Sequence, residues 1–377
     1  MNTRLEFIQI TKPFLPPIDE YKKEIEKIWN TSWLTNNGPL HEDFNTKLAD
    51  YLNVDYSSLF INGHLALELA LKQFEFEKDS ELITTPFTFA STTHAIVNNG
   101  LKPVFCDIKL DDFTIDTSKI EKLITKKTVA ILGVHIFGYP VNVREIEKIA
   151  KKYDLKVVYD SAHAFGVEID GETVGNFGDI SMFSLHATKV FHSIEGGVLT
   201  YSDNTFIDKL NMYKNFGING PDNVDLVGTN AKMNEFQAAM GIVNLRYVDS
   251  EIEKRKVIID QYRSLLKDIE GIKFIEDLDN IKHNYSYFPV LVDELKFRKT
   301  RNELHDMLKK YDIFTRKYFY PLITDFKCYK GVYDDRALVN AKYVADRILT
   351  LPLYTSLTIA DIKYICDSIK EIYLNDK

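Results

Sequence analysis

Short apolar runs alternate with amphipathic stretches along the chain from about residue 56. The runs "SSLFI", "ELITT", "PVFCDI", "TVAILGVH" and "KVVYD" are predicted strands, and the intervening "GHLALELALKQF", residues 90–98 and "NVREIEKIAKKYD" have helical spacing. Strands that are apolar on both faces and alternate with helices form parallel sheets covered on both sides. The pattern therefore predicts an α/β fold built on a parallel sheet.

The segments on either side of this alternation have different patterns. Residues 19–31 and 39–52 are predicted helices, the second after the turn signal "NNGP". "VEIDGETVG" predicts a hairpin with an Asp-Gly turn, and "ISMFSL" and "GGVLTY" predict two more strands. From residue 245 a long charged helix, "LRYVDSEIEKRKVIIDQYRSLLKDI", leads into mixed strands and helices. We therefore expect a large domain over residues 1–245 and a smaller α/β domain over residues 246–377.

Composition narrows the class of protein without identifying it. The 377 residues are 45% hydrophobic and 27% charged, which is typical of a globular protein with a large core. The net charge of −8 argues against nucleic acid or an anionic membrane as the main partner. No run approaches the roughly 20 apolar residues of a membrane helix. The start of the chain has no signal-peptide pattern, so we expect a cytoplasmic protein.

The three cysteines, Cys106, Cys328 and Cys366, lie far apart in sequence. Such sparse use indicates reduced thiols rather than a disulfide framework. The sequence has neither a CxxC nor an HExxH spacing, so we expect no structural zinc and no zincin-type site.

Polar and aromatic residues follow the predicted strands at one edge of the sheet. They are Gly63 after the first strand, Phe87 and Phe89 after the second, Asp160, Ser161 and His163 at the end of "KVVYD", and Ser184, His186 and Lys189 at the end of "ISMF". Parallel α/β sheets bind ligands beyond the carboxyl ends of their strands. We therefore expect these residues to share one site.

One ligand, pyridoxal phosphate, suits this set of groups. Its aldehyde reacts with a lysine amine, here Lys189, and its pyridine nitrogen needs a carboxylate, here Asp160. Its phosphate prefers a helix N-terminus with small or hydroxyl residues, which Gly63 and Ser184 provide. Its flat ring prefers an aromatic neighbour such as Phe89. The joint arrangement therefore favours a pyridoxal phosphate enzyme.

Each of these residues also has an ordinary structural interpretation. Lys189 alone fits a solvated surface lysine, Asp160 fits a helix N-cap, and Gly63 fits a turn. His163 fits a core histidine bonded to a backbone carbonyl, and Phe89 fits ordinary packing. No residue is specific by itself, so the functional interpretation depends on their joint order along the strand ends.

Five motifs in order resemble the DegT/DnrJ/EryC1/StrS sugar aminotransferases. They are "NGH…ALELAL", "TPFTFAST", "YDSAHAFG", "FSLHATKVFHSIEGG" and "GTNAKMNEFQAAMG", and the similarity extends from "WLTNNGP" to "RKYFYPL". The resemblance implies the fold-type-I architecture, with a mostly parallel seven-stranded sheet in the large domain, and a homodimer. It also implies transfer of an amino group, usually from glutamate, to the keto group of a nucleotide-linked sugar.

The resemblance implies a role for each candidate residue. Lys189 matches the lysine that holds the cofactor covalently and shuttles protons, and Asp160 matches the acid at the pyridine nitrogen. His163 stands where the family often has glutamine, near the ring hydroxyl. Ser184 matches the phosphate-binding serine. Phe89 matches the aromatic residue that stacks on the ring.

Four further positions follow from the same resemblance. Gly63 and His64 stand where the family commonly has Gly-Thr, so the backbone amide can hold phosphate but the threonine hydroxyl is missing. Asn230 matches the asparagine that reaches across the dimer to the partner's cofactor phosphate, and Lys232 stands where arginine is frequent. The apolar "MNEFQAAMGIVNL" helix after an exposed "NFGINGPDN" loop also suggests a surface that a partner buries, although packing within one domain fits its periodicity equally well.

The substrate is less well defined. "SWLTNNGP" and "RKYFYPL" look most like the subgroup that acts at carbon 4 of dTDP-4-keto-6-deoxyglucose for bacterial surface glycans, and a carbon-3 enzyme is the alternative within the family. A dehydratase of this family would have histidine in place of Lys189. A nucleotide-sugar oxidoreductase would need a GxGxxG turn, and a non-catalytic cofactor-binding regulator would need an added DNA-binding domain. The sequence favours the aminotransferase over these three.

Overall fold

The computed structural model describes residues 7–374, and the runs predicted as strands between residues 56 and 201 form strands. The strands are β1 (Tyr56–Phe60), β2 (Glu81–Thr84), β3 (Lys102–Phe105), β4 (Thr128–Val134), β5 (Lys156–Asp160), β6 (Glu168–Ile169), β7 (Glu172–Thr173), β8 (Ile180–Ser184), β9 (Gly197–Tyr201), β10 (Ile272–Phe274), β11 (Ile281–Lys282), β12 (Phe288–Val292) and β13 (Ile348–Leu351).

The predicted helices are present as well, within a residue or two of their expected ends. The helices are α1 (Ile18–Thr31), α2 (Pro39–Leu52), α3 (Gly63–Lys72), α4 (Ala90–Asn98), α5 (Thr117–Ile120), α6 (Val143–Tyr153), α7 (Phe206–Lys214), α8 (Glu235–Leu245), α9 (Val248–Leu266), α10 (Glu294–Phe297), α11 (Arg301–Lys310), α12 (Val339–Arg347) and α13 (Ile359–Leu374). The long charged helix predicted from residue 245 begins at Val248, after a turn that separates it from α8.

Seven strands form the central sheet in the order β1-β9-β8-β5-β4-β2-β3. The pairs β8–β5, β5–β4, β4–β2 and β2–β3 are parallel. Strand β9 is antiparallel to both of its neighbours, and Gly197 pairs with Phe60 on one side and Ser184 on the other. The predicted α/β fold with a mostly parallel seven-stranded sheet is confirmed.

Helices cover both faces of this sheet because its central strands are apolar on both. In β5, Val158 packs into the core beneath α3, whereas its neighbour Tyr159 packs into the core beneath α6, since successive strand residues face opposite sides. Asn62 and Asn142 begin α3 and α6 by accepting hydrogen bonds from N–H groups of the first turn. Each such cap stabilises its helix by about 1 kcal/mol.

The remaining strands form two small sheets. Strands β6 and β7 make the predicted hairpin, and Asp170 and Gly171 at its turn have φ angles of 53° and 81°. Strands β10, β12 and β13 form an antiparallel sheet in the part of the chain after residue 245. The domain limits 1–245 and 246–377 stay a prediction.

Helix α8 had two interpretations in the sequence, and its packing within the chain favours one of them. It packs against α1 and α2 of its own chain, and Ala238 and Ile242 are buried there. A Cβ on Gly241 would lie 2.3 Å from the Phe44 ring, so the two helices approach closely at this glycine. The apolar pattern of "MNEFQAAMGIVNL" is therefore explained by packing within one chain, the second of the two interpretations that the sequence left open.

Within residues 7–374, no helix has the length and apolar character needed to span a membrane. The three cysteines are unpaired; Cys106 and Cys366 are buried and Cys328 is exposed. The same residues contain no cluster of three or more histidine, cysteine or acidic side chains placed to hold a metal ion.

Candidate active site

The carboxyl ends of the parallel strands open into a cavity of about 540 Å³. This volume is in the usual range for a small-molecule site. Most of the residues predicted for the site line the cavity: Gly63, His64, Phe89, Asp160, His163, Ser184 and Lys189. Asn230 lies outside its lining. Residues from β5, β8, the first turns of α3 and α4, and a late segment of the chain thus meet in one place.

Asp160 is the last residue of β5 and is 5% exposed. Its carboxylate accepts hydrogen bonds from the Thr92 hydroxyl at 2.8 Å and from the Ala162 N–H at 3.1 Å. Burial raises the pKa of this carboxyl, and the two hydrogen bonds and the charge of Lys189 oppose that rise. A buried carboxylate needs a positive partner, and a protonated pyridine nitrogen would supply one.

Lys189 lies in the connection between the antiparallel neighbours β8 and β9. Its N–H donates to the carbonyl of His186 at 2.9 Å, and its side chain is half-buried at the cavity. In the part of the chain that the structure describes, its ammonium has no hydrogen-bond or ion-pair partner. Its charge acts on both Asp160 and His163, so it lies close to both.

The two glycines after this connection allow backbones to approach closely. A Cβ on Gly196 would lie 2.3 Å from the Ser193 hydroxyl oxygen, and one on Gly197 would lie 2.5 Å from the carbonyl oxygen of Asn62. Gly197 begins β9, and Asn62 caps α3. The Gly-Gly pair therefore lets the loop that bears Lys189 pack directly on the turn that begins α3.

Glu195 and His186 pair across the ends of the same loop. Nε2 of His186 lies 3.4 Å from Oε1 of Glu195. Nδ1 of the same histidine accepts from the Thr188 N–H at 3.2 Å. The Glu195 carbonyl accepts from the Ser193 hydroxyl at 2.9 Å and from Nε2 of Gln237 at 2.8 Å. Both paired side chains are about half exposed, so their pairing contributes little to the free energy of folding.

Helix α3 begins at Gly63, with its N-terminus at the cavity. The Asn62 side chain accepts from the Leu65 N–H at 2.9 Å. The N–H groups of the two helix residues before Leu65 have no partner inside the helix. A Cβ on Gly63 would lie 3.0 Å from Cβ of Ser184, so a larger residue would crowd that serine. A positive helix end beside a hydroxyl is a binding site for an anion such as phosphate.

His64 joins α3 to α4 at this end of the cavity. Its Nδ1 lies 2.9 Å from the Ser91 hydroxyl oxygen, and its Nε2 lies 3.6 Å from Oε2 of Glu68. One turn further along α4, Nδ1 of His94 lies 2.6 Å from the Tyr329 hydroxyl oxygen. Burial and the nearby His64 lower the pKa of His94. Ser91 and His94 both line the cavity, although neither was predicted from the sequence to have a role in the site.

His163 is surrounded by aromatic rings. Its ring is nearly parallel to that of Phe319, with centroids 5.9 Å apart, and lies 4.7 Å from the Tyr287 ring. Nδ1 accepts from the Phe137 N–H at 3.2 Å, so the proton of the neutral ring is on Nε2. Burial, followed by the charge of Lys189, holds the pKa of His163 well below its ordinary value. His163 is therefore a neutral hydrogen-bond donor at the cavity.

A segment from the later part of the chain closes the cavity. Arg316, Tyr318 and Phe319 line it, and the Arg316 guanidinium lies 4.1 Å from the centroid of the Tyr318 ring. Phe89, which is 49% exposed, meets Tyr318 edge to face at 6.4 Å. The "RKYFYPL" stretch counted only toward the resemblance. An arginine among aromatic residues was the only local signal that could have indicated a role for Arg316 in the site.

Asn230 and Lys232 lie apart from this cavity. The side-chain oxygen of Asn230 accepts from the Lys232 ammonium at 3.2 Å, and that ammonium also donates to Asn215 at 2.6 Å. Asn230 is exposed, whereas Lys232 is buried, and burial lowers the pKa of its ammonium. Within one chain, the structure therefore does not bring Asn230 to the other predicted residues.

The residues that do converge fit pyridoxal phosphate. The cradle between Gly63 and Ser184 suits its phosphate, because a Cβ at Gly63 would fill it. The buried carboxylate of Asp160 suits the ring nitrogen, and the amine of Lys189 suits the aldehyde. These three features line one cavity.

The chain is similar over nearly its whole length to known sugar aminotransferases. The profile of the DegT/DnrJ/EryC1/StrS aminotransferase family matches residues 18–370. Two proteins named dTDP-4-amino-4,6-dideoxy-D-glucose transaminase, from Shigella dysenteriae and Escherichia coli, are 42% and 44% identical to it. They cover 97% and 93% of this chain, and the matches span 99% and 94% of theirs. The structure of DesI with its TDP-sugar product has a TM-score of 0.93 at 29% identity, over 98% of this chain and 94% of that one.

Proposed function

Because the chain belongs to the DegT/DnrJ/EryC1/StrS aminotransferase family, we propose that it moves the amino group of L-glutamate to carbon 4 of dTDP-4-keto-6-deoxy-D-glucose. The product is dTDP-4-amino-4,6-dideoxy-D-glucose. The chain is a pyridoxal phosphate-dependent sugar aminotransferase. The convergence of Lys189, Asp160 and the start of α3 in one cavity is the observation that carries the proposal. The two relatives at 42% and 44% identity, both named dTDP-4-amino-4,6-dideoxy-D-glucose transaminase, support the choice of sugar.

The residues of the cavity divide the work of amino transfer. Pyridoxal phosphate, when bound, supplies the electron sink for the reaction. Asp160 holds a negative charge at the ring nitrogen, and its hydrogen bonds from Thr92 and Ala162 fix the orientation of the carboxylate. Nζ of Lys189 accepts the proton from the α-carbon of the amino donor and returns a proton later. Because Nδ1 of His163 accepts from the Phe137 N–H, the proton of the neutral ring is on Nε2, which would donate to the bound cofactor.

We assign Arg316 to a carboxylate of the amino donor. Its guanidinium faces the cavity against Tyr318, and its backbone pairs with Thr350 in both directions, which holds the residue in place. A guanidinium binds a carboxylate through two parallel hydrogen bonds, which lysine cannot reproduce. We expect Arg316→Lys to raise the KM for glutamate about tenfold and to leave the KM for the sugar nearly unchanged. Equal changes in both constants would contradict the assignment.

The substrate is tested by offering the enzyme alternatives. The enzyme is incubated with L-glutamate and a panel of keto-sugars linked to dTDP, UDP or GDP, each with its keto group at carbon 3 or carbon 4. We expect the dTDP-linked 4-keto-6-deoxy sugar to react with the highest kcat/KM, and NMR of the product to place nitrogen on carbon 4. Preferred amination at carbon 3 would favour the alternative within the family. Loss of a hydroxyl without gain of nitrogen would indicate a dehydratase.

The proposed enzyme is a homodimer with shared sites, in which Asn230 binds the cofactor phosphate of the partner. Asn230 is exposed and lies outside its own cavity, which suits a residue that acts on another chain. The segment before it exposes Phe216, Val224 and Val227, the last of them 82% exposed. Exposed apolar side chains grouped in one segment are typical of an interface. In a twofold dimer, the same surface of both chains forms that interface.

Mixing two inactive variants tests the shared site. Lys189→Ala chains are combined with Asn230→Asp chains, whose added negative charge should repel phosphate. A mixed dimer then has one site with both defects and one site with neither, so activity should return on mixing. Subunit exchange is followed separately with differently tagged chains. Exchange without recovered activity, or an active monomer in sedimentation, would refute the shared site.

The setting of the enzyme is also a proposal. We place it in the bacterial cytoplasm, where nucleotide sugars and glutamate are available, and its amino sugar in surface glycans such as the O-antigen of lipopolysaccharide. The net charge of −8 and the resemblance to the carbon-4 subgroup support this placement. Deleting the coding sequence should remove the 4-amino sugar from the surface glycan, and mass spectrometry of that glycan checks it.

A further inference from the structure

Asn284 is a buried side chain outside the lining of the cavity, and its amide nitrogen binds two carbonyl oxygens. Its Nδ2 donates to the carbonyl oxygen of His163 at 2.8 Å and to that of Phe165 at 2.9 Å. Its Oδ1 accepts from the Ser286 N–H at 3.2 Å. The opposite orientation of the amide would place an oxygen against two carbonyl oxygens, so these contacts fix which atom is the donor.

A strand pairing brings Asn284 to this place from the later part of the chain. Strand β11 pairs with β6, with Ile281 opposite Ile169, and Asn284 follows closely after β11. Strand β6 in turn follows closely after the turn that bears His163. The pairing therefore places the segment that bears Asn284 beside that turn.

Gly138 shows how closely this junction is packed. It has a φ of 92°, and a Cβ there would lie 2.4 Å from Oδ1 of Asn284 and 3.2 Å from the carbonyl oxygen of His163. The preceding residue, Phe137, donates its N–H to Nδ1 of His163 at 3.2 Å. Two segments far apart in sequence therefore hold His163 at two points, one at its ring and one at its backbone.

We infer that Asn284 is a positioning residue for the reaction, which holds the backbone of His163 so that the imidazole ring keeps its place at the cofactor. His163 and Phe165 are buried, and within residues 7–374 the structure shows no other hydrogen bond to their carbonyl groups. Loss of the amide would leave both carbonyl groups without a donor, which favours movement of the turn. The inference rests on the proposed function in requiring that His163 contacts the cofactor ring.

The absorbance of the lysine-bound cofactor supplies a readout that does not need turnover. This near-visible absorbance changes with pH as the nitrogen that joins the cofactor to Lys189 gains or loses a proton. A hydrogen-bond donor at the neighbouring ring oxygen stabilises negative charge there and so favours loss of that proton. If His163 moves away, the absorbance change should therefore shift to higher pH. Asp160 and Lys189 are the same in every variant, so they do not cause a shift.

The experiment combines Asn284→Ala and His163→Phe in a double-mutant cycle. The wild type, both single variants and the double variant are loaded with pyridoxal phosphate, and the midpoint pH of the absorbance change is measured. Thermal unfolding of each protein is measured alongside. Asn99→Ala is the matched control, because Nδ2 of Asn99 also donates to two carbonyl oxygens, those of Glu68 at 3.0 Å and Ala95 at 2.8 Å, and Asn99 lies outside the lining of the cavity.

We expect His163→Phe to raise the midpoint by about one pH unit and Asn284→Ala to raise it by a smaller amount. In the double variant, Asn284→Ala should add nothing to the effect of His163→Phe, because it acts through that residue. Asn99→Ala should lower the unfolding temperature and leave the midpoint unchanged. An unchanged midpoint in Asn284→Ala, or shifts that add in the double variant, would overturn the inference.

The remaining outcomes separate this inference from the proposed function. An unchanged midpoint in His163→Phe would refute the contact of His163 with the cofactor ring, and the inference with it. If Asn284→Ala does not fold, Asn284→Ser takes its place. Serine has one donor for the two carbonyl groups, so the midpoint should still rise, and no rise would overturn the inference. The assay contains neither glutamate nor a sugar, so an error in the proposed substrate leaves its result unchanged.

Discussion

The floor of the cavity, made by Asp160 and His163 and supported by the Thr92 hydroxyl that donates to Asp160, differs from its rim, made by His64, His186, Glu195 and Arg316. Asp160 and His163 are each 5% exposed, and their partners are hydroxyl and backbone N–H groups. The side chains of the rim pairs His64–Glu68 and His186–Glu195 are 27–51% exposed, with the ring nitrogen and the carboxylate oxygen 3.6 Å and 3.4 Å apart. An electrostatic interaction contributes the most free energy where water is excluded. We therefore expect substitutions at the floor to lower activity more than substitutions at the rim.

The largest loss of activity is expected from a substitution of Lys189, which lies between the floor and the rim. Lys189→Ala removes the amine that holds the cofactor and moves protons, so turnover should fall below detection. The fold should survive, because the ammonium has no partner within residues 7–374. Steady-state kinetics and circular dichroism check the two parts. Wild-type transamination rates in this variant would refute the assignment.

Asp160→Asn should lower kcat about 100-fold or more, which corresponds to roughly 2.7 kcal/mol of lost transition-state stabilisation. Asparagine is nearly isosteric, but a neutral amide does not hold a charged ring nitrogen. The step affected is proton removal from the amino-acid carbon, so single-turnover kinetics should show the loss there. A twofold change would contradict the role.

The same variant has a second signature in the cofactor-free protein. Because burial raises the pKa of Asp160, the folded state binds more protons than the unfolded state above the ordinary aspartate pKa. Stability then falls as pH rises through that range. Apo Asp160→Asn should therefore be more stable than apo wild type at neutral pH, and the difference should disappear in acid. Thermal unfolding at several pH values measures this. A larger difference in acid would contradict the sign.

Thr92→Val tests the floor without removing a charge. Valine has a similar shape, but it cannot donate the 2.8 Å hydrogen bond to Asp160. We expect kcat to fall about tenfold, since a hydrogen bond to a charged group contributes about 1.5–3 kcal/mol. Ser at this position is the matched control and should restore most of the rate. An equal loss in Thr92→Ser and Thr92→Val would indicate a packing effect instead.

Glu195→Gln at the rim should have the smallest effect. The pair with His186 is half exposed, and such pairs contribute up to about 1 kcal/mol. We expect kcat to change less than about threefold, and the difference from wild type should shrink as salt is added. A loss as large as that of Thr92→Val would mean that the division between floor and rim is wrong.

Local patterns predicted the elements of the fold well, because apolar spacing reports which faces are buried. They did not predict that β9 would enter the sheet between β1 and β8 in the antiparallel direction. That pairing brings Gly197 into close contact with Asn62, and only the folded chain reveals this contact. The same limit explains α8, since an apolar helix has one pattern whether it packs on its own chain or on a partner.

In the candidate site as well, local patterns predicted some residues and missed those that depend on long-range contacts. Residues at strand ends were predicted, because parallel strands place them at one edge of the sheet. Thr92 was missed because a threonine in the first turn of a helix has many ordinary roles, and its partner Asp160 lies 68 positions away. Arg316 was missed because its place depends on how the later part of the chain folds back.

The contact between Gly197 and Asn62 has a consequence for how the site opens. The two stretches that would receive the aldehyde and the phosphate of the cofactor touch backbone to backbone, with no side chain between Gly197 and Asn62. Local unfolding of either stretch must therefore release the other, so their amide hydrogens should exchange with solvent as one cooperative unit. The native site should then open as a whole, and a state in which one of these stretches is folded and the other is unfolded should not be populated.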